Sequence, residues 1–110
     1  MANEWGRGTT PEITIHVDAD LTDANVYLSF IQDDRIVLEL DETQMTVTSD
    51  TIVADLSQAD TMRMTVGDLK MQIRYVAADG SSGTSNVLET KVVKTYKNGV
   101  LSYVERASAN

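Results

Sequence analysis

The chain has 110 residues, 42% hydrophobic and 24% charged, with no cysteine and a single histidine; that is the size and composition of one folded domain around one core. Nine Lys and Arg against seventeen Asp and Glu give a formal net charge of -8, a field that repels phosphate backbones and anionic lipid surfaces, so neither nucleic acid nor a membrane is expected as a partner. The absence of cysteine excludes disulfides, thiolate nucleophiles and cysteine-based zinc or iron–sulfur sites, and no apolar run reaches the roughly 18–20 residues of a membrane-spanning helix.

Residues 1–10 read as a flexible leader, 11–104 as a single domain and 105–110 as a frayed tail. Met1 to Thr10 lacks the apolar stretch of a secretory signal, so synthesis in the cytoplasm is expected, with assembly into a larger particle open afterwards. Trp5-Gly6-Arg7-Gly8 sets a large aromatic and an arginine among glycines, outside any core visible in the pattern. Such side chains dominate interface hot spots, which makes Trp5 and Arg7 candidate interface residues; the alternative is a disordered leader.

From Glu12 onward the apolar residues recur with a period of two and β-branched residues abound, which predicts strands. Glu12 to Val17 puts Ile13, Ile15 and Val17 on one face and Thr14 and His16 on the other. Asp18-Ala19-Asp20 begins a polar turn, in which Asp20 or Thr22 is expected to bond the local backbone. Asn25 to Gln32 alternates Val26, Leu28 and Phe30 with Tyr27 and Ser29, and Asp33-Asp34 predicts a tight hairpin turn into Arg35 to Leu40. Two short strands, Gln44 to Thr48 and Thr51 to Leu56, flank Ser49-Asp50. There the period breaks: Ser57 and Asp60 have the spacing of a capping box, which predicts one helical turn reaching Met62. Gly67-Asp68 opens the longest strand, Leu69 to Ala78, and Asp79 to Gly83 forms a loop rich in glycine and serine. Thr84 to Lys94 is the seventh strand. Tyr96 to Val104 adds a final edge strand, with Asn98-Gly99 as a type I′ turn dipeptide.

About seven short strands with turn signals every 8–12 residues or so predict an all-β, immunoglobulin-like antiparallel β-sandwich, although the paired cysteines and central tryptophan of antibody domains are missing. The chemistry-bearing residues are few. His16 is the only side chain suited to serve as the base of a nucleophilic triad, and its place on the polar face of a strand reads as a solvent-facing residue. Asp18, Asp20 and Asp23 imitate the start of a calcium loop, but the sixth and twelfth positions counted from Asp18 hold Asp23 and Ser29 where such a loop needs glycine and glutamate. The pairs Asp33-Asp34 and Asp41-Glu42 could supply the two carboxylates of a glycosidase, yet 5% aromatics leave little to line a sugar cleft. No phosphate loop, nucleophile elbow or dinucleotide fingerprint is present. The expectation is a protein that is not an enzyme and that uses no metal and no cofactor.

Arg7-Gly8-Thr9-Thr10-Pro11 before an Ile-x-Ile strand, Asp20-Leu21-Thr22-Asp23-Ala24-x-Val26-Tyr27-Leu28-x-Phe30, Leu56-Ser57-Gln58-x-Asp60-Thr61, and Met71-Gln72-Ile73-Arg74-Tyr75 before Asp79-Gly80 resemble small structural modules of phages and prophages of Gram-positive gut bacteria. The likeness covers most of residues 7–95, and it extends to the β-sandwich N-terminal domains of siphophage upper-baseplate proteins. It implies a virion or tail-associated assembly role, with other virion proteins or copies of the chain as partners. It also implies a location in the bacterial host cytoplasm during synthesis and then in the virion, and it supplies no catalytic residues. The alternative is a carbohydrate-binding or adhesin-like module, working through exposed aromatics or a loop-bound calcium. Contact through sheet edges is expected in the first case: Glu12 to Val17, and Tyr96 to Val104 with Tyr96, Val100 and Tyr103 as candidate interface residues beside Trp5 and Arg7.

Overall fold

The computed structural model describes residues 4–85, 87–97 and 99–103. Its strands are β1 (Trp5–Gly6), β2 (Glu12–His16), β3 (Asn25–Gln32), β4 (Arg35–Asp41), β5 (Thr46–Val47), β6 (Thr51–Asp55), β7 (Gly67–Val76), β8 (Ser82–Thr84) and β9 (Leu88–Val93), with one short helix, α1 (Gln58–Met62), between β6 and β7. The fold is all-β. A six-stranded sheet runs in the order β1-β9-β7-β3-β4, with β8 also on β7, and a three-stranded sheet runs β2-β6-β5.

The period of two explains both sheets. Along β3, Val26, Leu28 and Phe30 are fully buried while Tyr27 is exposed, and β7 repeats the pattern with Leu69, Met71 and Ile73. These side chains meet Ile15 of β2 and Ile52 and Ala54 of β6 in one continuous cluster, so the two sheets share a single core. Asp33 and Asp34 both adopt positive φ, 53° and 61°. That pair of conformations defines a type I′ turn, whose twist matches the strands it joins; Asp tolerates it better than most residues. The helical turn is also present: the Ser57 hydroxyl accepts from Asp60 N (3.0 Å) while an Asp60 carboxylate oxygen accepts from Ser57 N (3.0 Å).

Four differences from the sequence reading stand out, the first three with physical causes. The residues expected as a flexible leader include β1, which pairs in parallel with β9, Trp5 opposite Val92 and Gly6 opposite Val93. Gly6 is required by proximity, since a Cβ there would stand 2.8 Å from the Thr95 methyl. The strand expected from Gln44 shrinks to β5, because Asp41 caps a 3-10 turn at Glu42–Gln44 and the Gln44 side chain turns back to accept from Asp41 N at 3.1 Å.

The seventh strand is broken into β8 and β9. Three steps along β7, from Arg74 to Met71, face four steps on the other side, from Thr84 to Leu88, so one extra residue is accommodated as a bulge. At the break the Ser85 hydroxyl takes the place of a backbone carbonyl, accepting from Ile73 N at 3.0 Å. Finally, the described residues of 96–103 form no strand. Asn98 of the expected turn dipeptide, Val104 and the expected tail 105–110 lie outside the described residues.

Candidate functional site

The five residues proposed for contact fall into two groups. Trp5 is 6% exposed and belongs to the core cluster, so it is not a free anchor. Arg7 is half-buried. Its guanidinium donates from Nε to Met64 O (2.7 Å) and from Nη2 to Met62 O (2.9 Å), satisfying carbonyls where α1 ends. The surrounding residues complete a clamp. The fully buried Thr61 hydroxyl donates to Thr9 O (2.7 Å) and accepts from Gly8 N (2.9 Å), and the Thr95 hydroxyl donates to Arg7 O (2.7 Å). The segment that looked most like an interface therefore ties β9 to α1 and holds the N-terminal crossing between the sheets.

The other three are in the open. Tyr96 and Tyr103 are each 89% exposed, Val100 is 60% exposed and Leu101 beside it 50%. Lys94 Nζ stands 5.0 Å from the centre of the Tyr96 ring, a cation–π contact that steadies one of the two tyrosines. The backbone of this segment is nonetheless held: Gln58 Nε2 donates to Leu101 O (2.7 Å) and Leu101 N donates to Gln58 Oε1 (2.6 Å). One side-chain amide thus satisfies both backbone groups of Leu101, as a neighbouring strand residue would. The result is a tethered segment with its apolar side chains turned out. Gln58 has no signature that separates it from an ordinary exposed helix residue, so its role is not legible in the sequence.

A second feature faces the edge of the smaller sheet. Between β2 and the β8–β9 break lies a cleft of about 340 Å³, lined by the apolar Ile15, Val17, Tyr75 and Leu88 together with His16 and Ser85. His16 Nδ1 lies 3.2 Å from Thr51 Oγ1, its cross-strand neighbour. Asp20 makes the expected local turn, accepting from Thr22 N (3.0 Å) and from the Thr22 hydroxyl (2.7 Å), and these bonds hold its carboxyl below the usual range, the hydroxyl bond contributing most. Among the described residues no group of three or more His, Cys, Asp or Glu is placed to hold a metal ion.

No protein-family model matches the sequence, and no curated protein matches it significantly. Two solved structures are similar. One is a Bacteroides vulgatus protein described provisionally as a glycoside hydrolase, 7% identical with a TM-score of 0.51 over 86% of this chain and 17% of that one. The other is the V domain of amphioxus IgVJ-C2, 13% identical with a TM-score of 0.35 over 83% of this chain and 99% of that one. The first likeness is one of fold alone, and the chain spans 17% of that protein's length.

Proposed function

We propose that the chain is an immunoglobulin-like β-sandwich that works by protein–protein contact, as a structural or assembly component of a phage-type virion in its tail, baseplate or head, with other virion proteins or further copies as partners. The strand order supports the sandwich reading. With β8 and β9 taken as one interrupted strand and the two-residue β1 set aside, seven strands remain, and β9-β7-β3-β4 opposes β2-β6-β5 in the arrangement of an immunoglobulin domain that carries an extra edge strand. The observation that carries the functional reading is the tethered segment around Leu101, whose Tyr96, Val100 and Tyr103 are exposed on a chain otherwise well supplied with core. Exposed aromatic and apolar side chains close together in the chain are what protein interfaces use. The setting comes from the sequence resemblance set out above.

The test is a Tyr96→Ser/Tyr103→Ser double variant expressed in a host producing the particle, with the purified particles analysed by mass spectrometry. Wild-type chain in the particle and a folded variant lost from it is the expected result. A chain absent from every particle, or a variant incorporated like wild type, would overturn the reading.

A carbohydrate-binding module is the second reading, favoured by two largely exposed tyrosines whose rings can stack on sugar faces and by the recurrence of the fold in a protein described provisionally as a glycoside hydrolase. Retention on a glycan array, lost in the same double variant, would select it.

A further inference from the structure

The free side of β2 has the makings of a strand acceptor. Val17 N donates to Asp50 O (2.8 Å) and Leu56 N to Pro11 O (3.0 Å), which places the odd-numbered residues of this segment in the bonded pairs of the antiparallel ladder with β6. Glu12, Thr14 and His16 therefore turn their N–H and C=O groups away from β6, and among the described residues no strand pairs with that side. The cleft beside it, with Ile15, Val17, Tyr75 and Leu88 in its walls, offers apolar depth next to the unpaired backbone. An edge with open backbone groups and a neighbouring pocket is the geometry of β-augmentation, in which the backbone supplies affinity and the pocket selects a side chain.

We propose that this edge takes, as an added strand, the 96–103 segment of a second copy of the chain. The inference rests on the reading of the protein as a contact module and names the partner for it. Charge favours this occupant. The segment carries Lys97 and no acidic residue, and Lys94 and, within β9, Lys91 lead into it, although the whole chain is at -8. Around β2 the balance is reversed: Asp55 lies opposite Glu12, Asp50 bonds Val17, and Asp18 lines the cleft. The lysines at and just before the segment of one copy and the acidic edge of another are drawn together, whereas two edges repel. The segment also holds two tyrosines and Val100, which suit a strand; Tyr96 and Tyr103 are almost fully exposed and Val100 and Leu101 at least half exposed on their own molecule. In the free chain Gln58 holds both backbone groups of Leu101, so transfer to β2 exchanges a two-bond tether for a ladder. Donor and acceptor are different surfaces, so copies either exchange segments reciprocally in a closed two-fold dimer or pair head-to-tail into rings or filaments.

Sedimentation of the full chain over a concentration series tests this. Mass rising with concentration, and falling back in about 0.5 M salt, is expected. Thr14→Pro removes an outward N–H and blocks the acceptor; Tyr96→Ser/Val100→Pro/Tyr103→Ser blocks the donor. Each variant alone is expected to associate at least ten-fold more weakly, while an equimolar mixture gives a one-to-one dimer and nothing larger, because each contributes one working half. His16→Pro, at the next outward position, gives the same readout if Thr14→Pro does not fold. A wild-type chain that stays monomeric, variants that associate like wild type, or a mixture that stays monomeric would each overturn the proposal. A monomeric wild-type chain whose tyrosine double variant is still lost from particles would overturn the proposal alone, leaving the contact reading intact with a different protein as partner.

Discussion

Trp5 is buried with its indole Nε1 unpaired, the one buried side-chain polar atom without a partner among the described residues. Its bulk fills the core while its donor costs about 1–3 kcal/mol. Trp5→Phe, which keeps most of the bulk and deletes the donor, should change urea stability by less than about 1 kcal/mol, whereas Trp5→Ala should cost roughly 3–5 kcal/mol. Equal losses would show that Trp5 does not fill the core. Gly83 is set by its cross-strand neighbour: a Cβ there would stand 2.3 Å from Tyr75 Oη, so the tyrosine ring covers a site where only hydrogen fits. Gly83→Ala should displace that ring and cost about 1–3 kcal/mol by thermal melt, while Gly80→Ala measures backbone conformation alone, since nothing lies within 4 Å of a Cβ there. Three exposed carboxyls, Asp20, Asp41 and Asp79, are held below their ordinary value of 3.8, first by the hydroxyls of Thr22, Thr43 and Ser81 and then by backbone N–H groups. A depressed folded-state pKa adds stability above the unfolded value and loses it as pH falls through the folded value. The urea midpoint should therefore be flat in these groups from about pH 7 to 5 and fall below about pH 4. Thr43→Val should make that fall shallower, and an unchanged slope would remove these turns from the acid response.

At the scale of elements, the signals that could be read were local ones. The alternation of Val26, Leu28 and Phe30 located β3, Asp33-Asp34 located its hairpin, and the Ser57–Asp60 spacing located α1, each because the cause lies within a few residues of its effect. A second box with the same logic, Asp41 to Gln44, drew Gln44 into a 3-10 turn where a strand had been expected to begin. What stayed out of reach depends on distant partners. The burial of Trp5 requires β9 some 87 positions later (Trp5 opposite Val92), and the broken edge at Ser85 answers to the register of β7. The site divides in the same way: Tyr96 and Tyr103 were expected on an edge strand that the described residues do not form, and the Gln58 tether that holds the segment instead joins residues 43 positions apart. Gln58→Ala should leave the melting temperature nearly unchanged, because exposed side-chain bonds contribute only about 1 kcal/mol or less. It should abolish hydrogen-exchange protection at the Leu101 amide; protection that survives the substitution would mean that another group holds the segment.

Across the whole molecule, a net charge of -8 keeps copies apart in general, while the lysines at and before the 96–103 segment and the acidic edge of β2, unpaired among the described residues, provide a directed exception. The two sheets share one core, so binding at β2 needs no rearrangement of the fold, only release of a segment that, among the described residues, Gln58 holds by two hydrogen bonds. The chain's lack of cysteine allows the contact to be trapped cleanly. Thr14→Cys and Tyr103→Cys, mixed as full chains and mildly oxidised, should give a disulfide between unlike copies in large excess over that formed when Arg35→Cys, on the opposite edge at β4, replaces Thr14→Cys. Equal yields from the two mixtures would contradict an acceptor at β2.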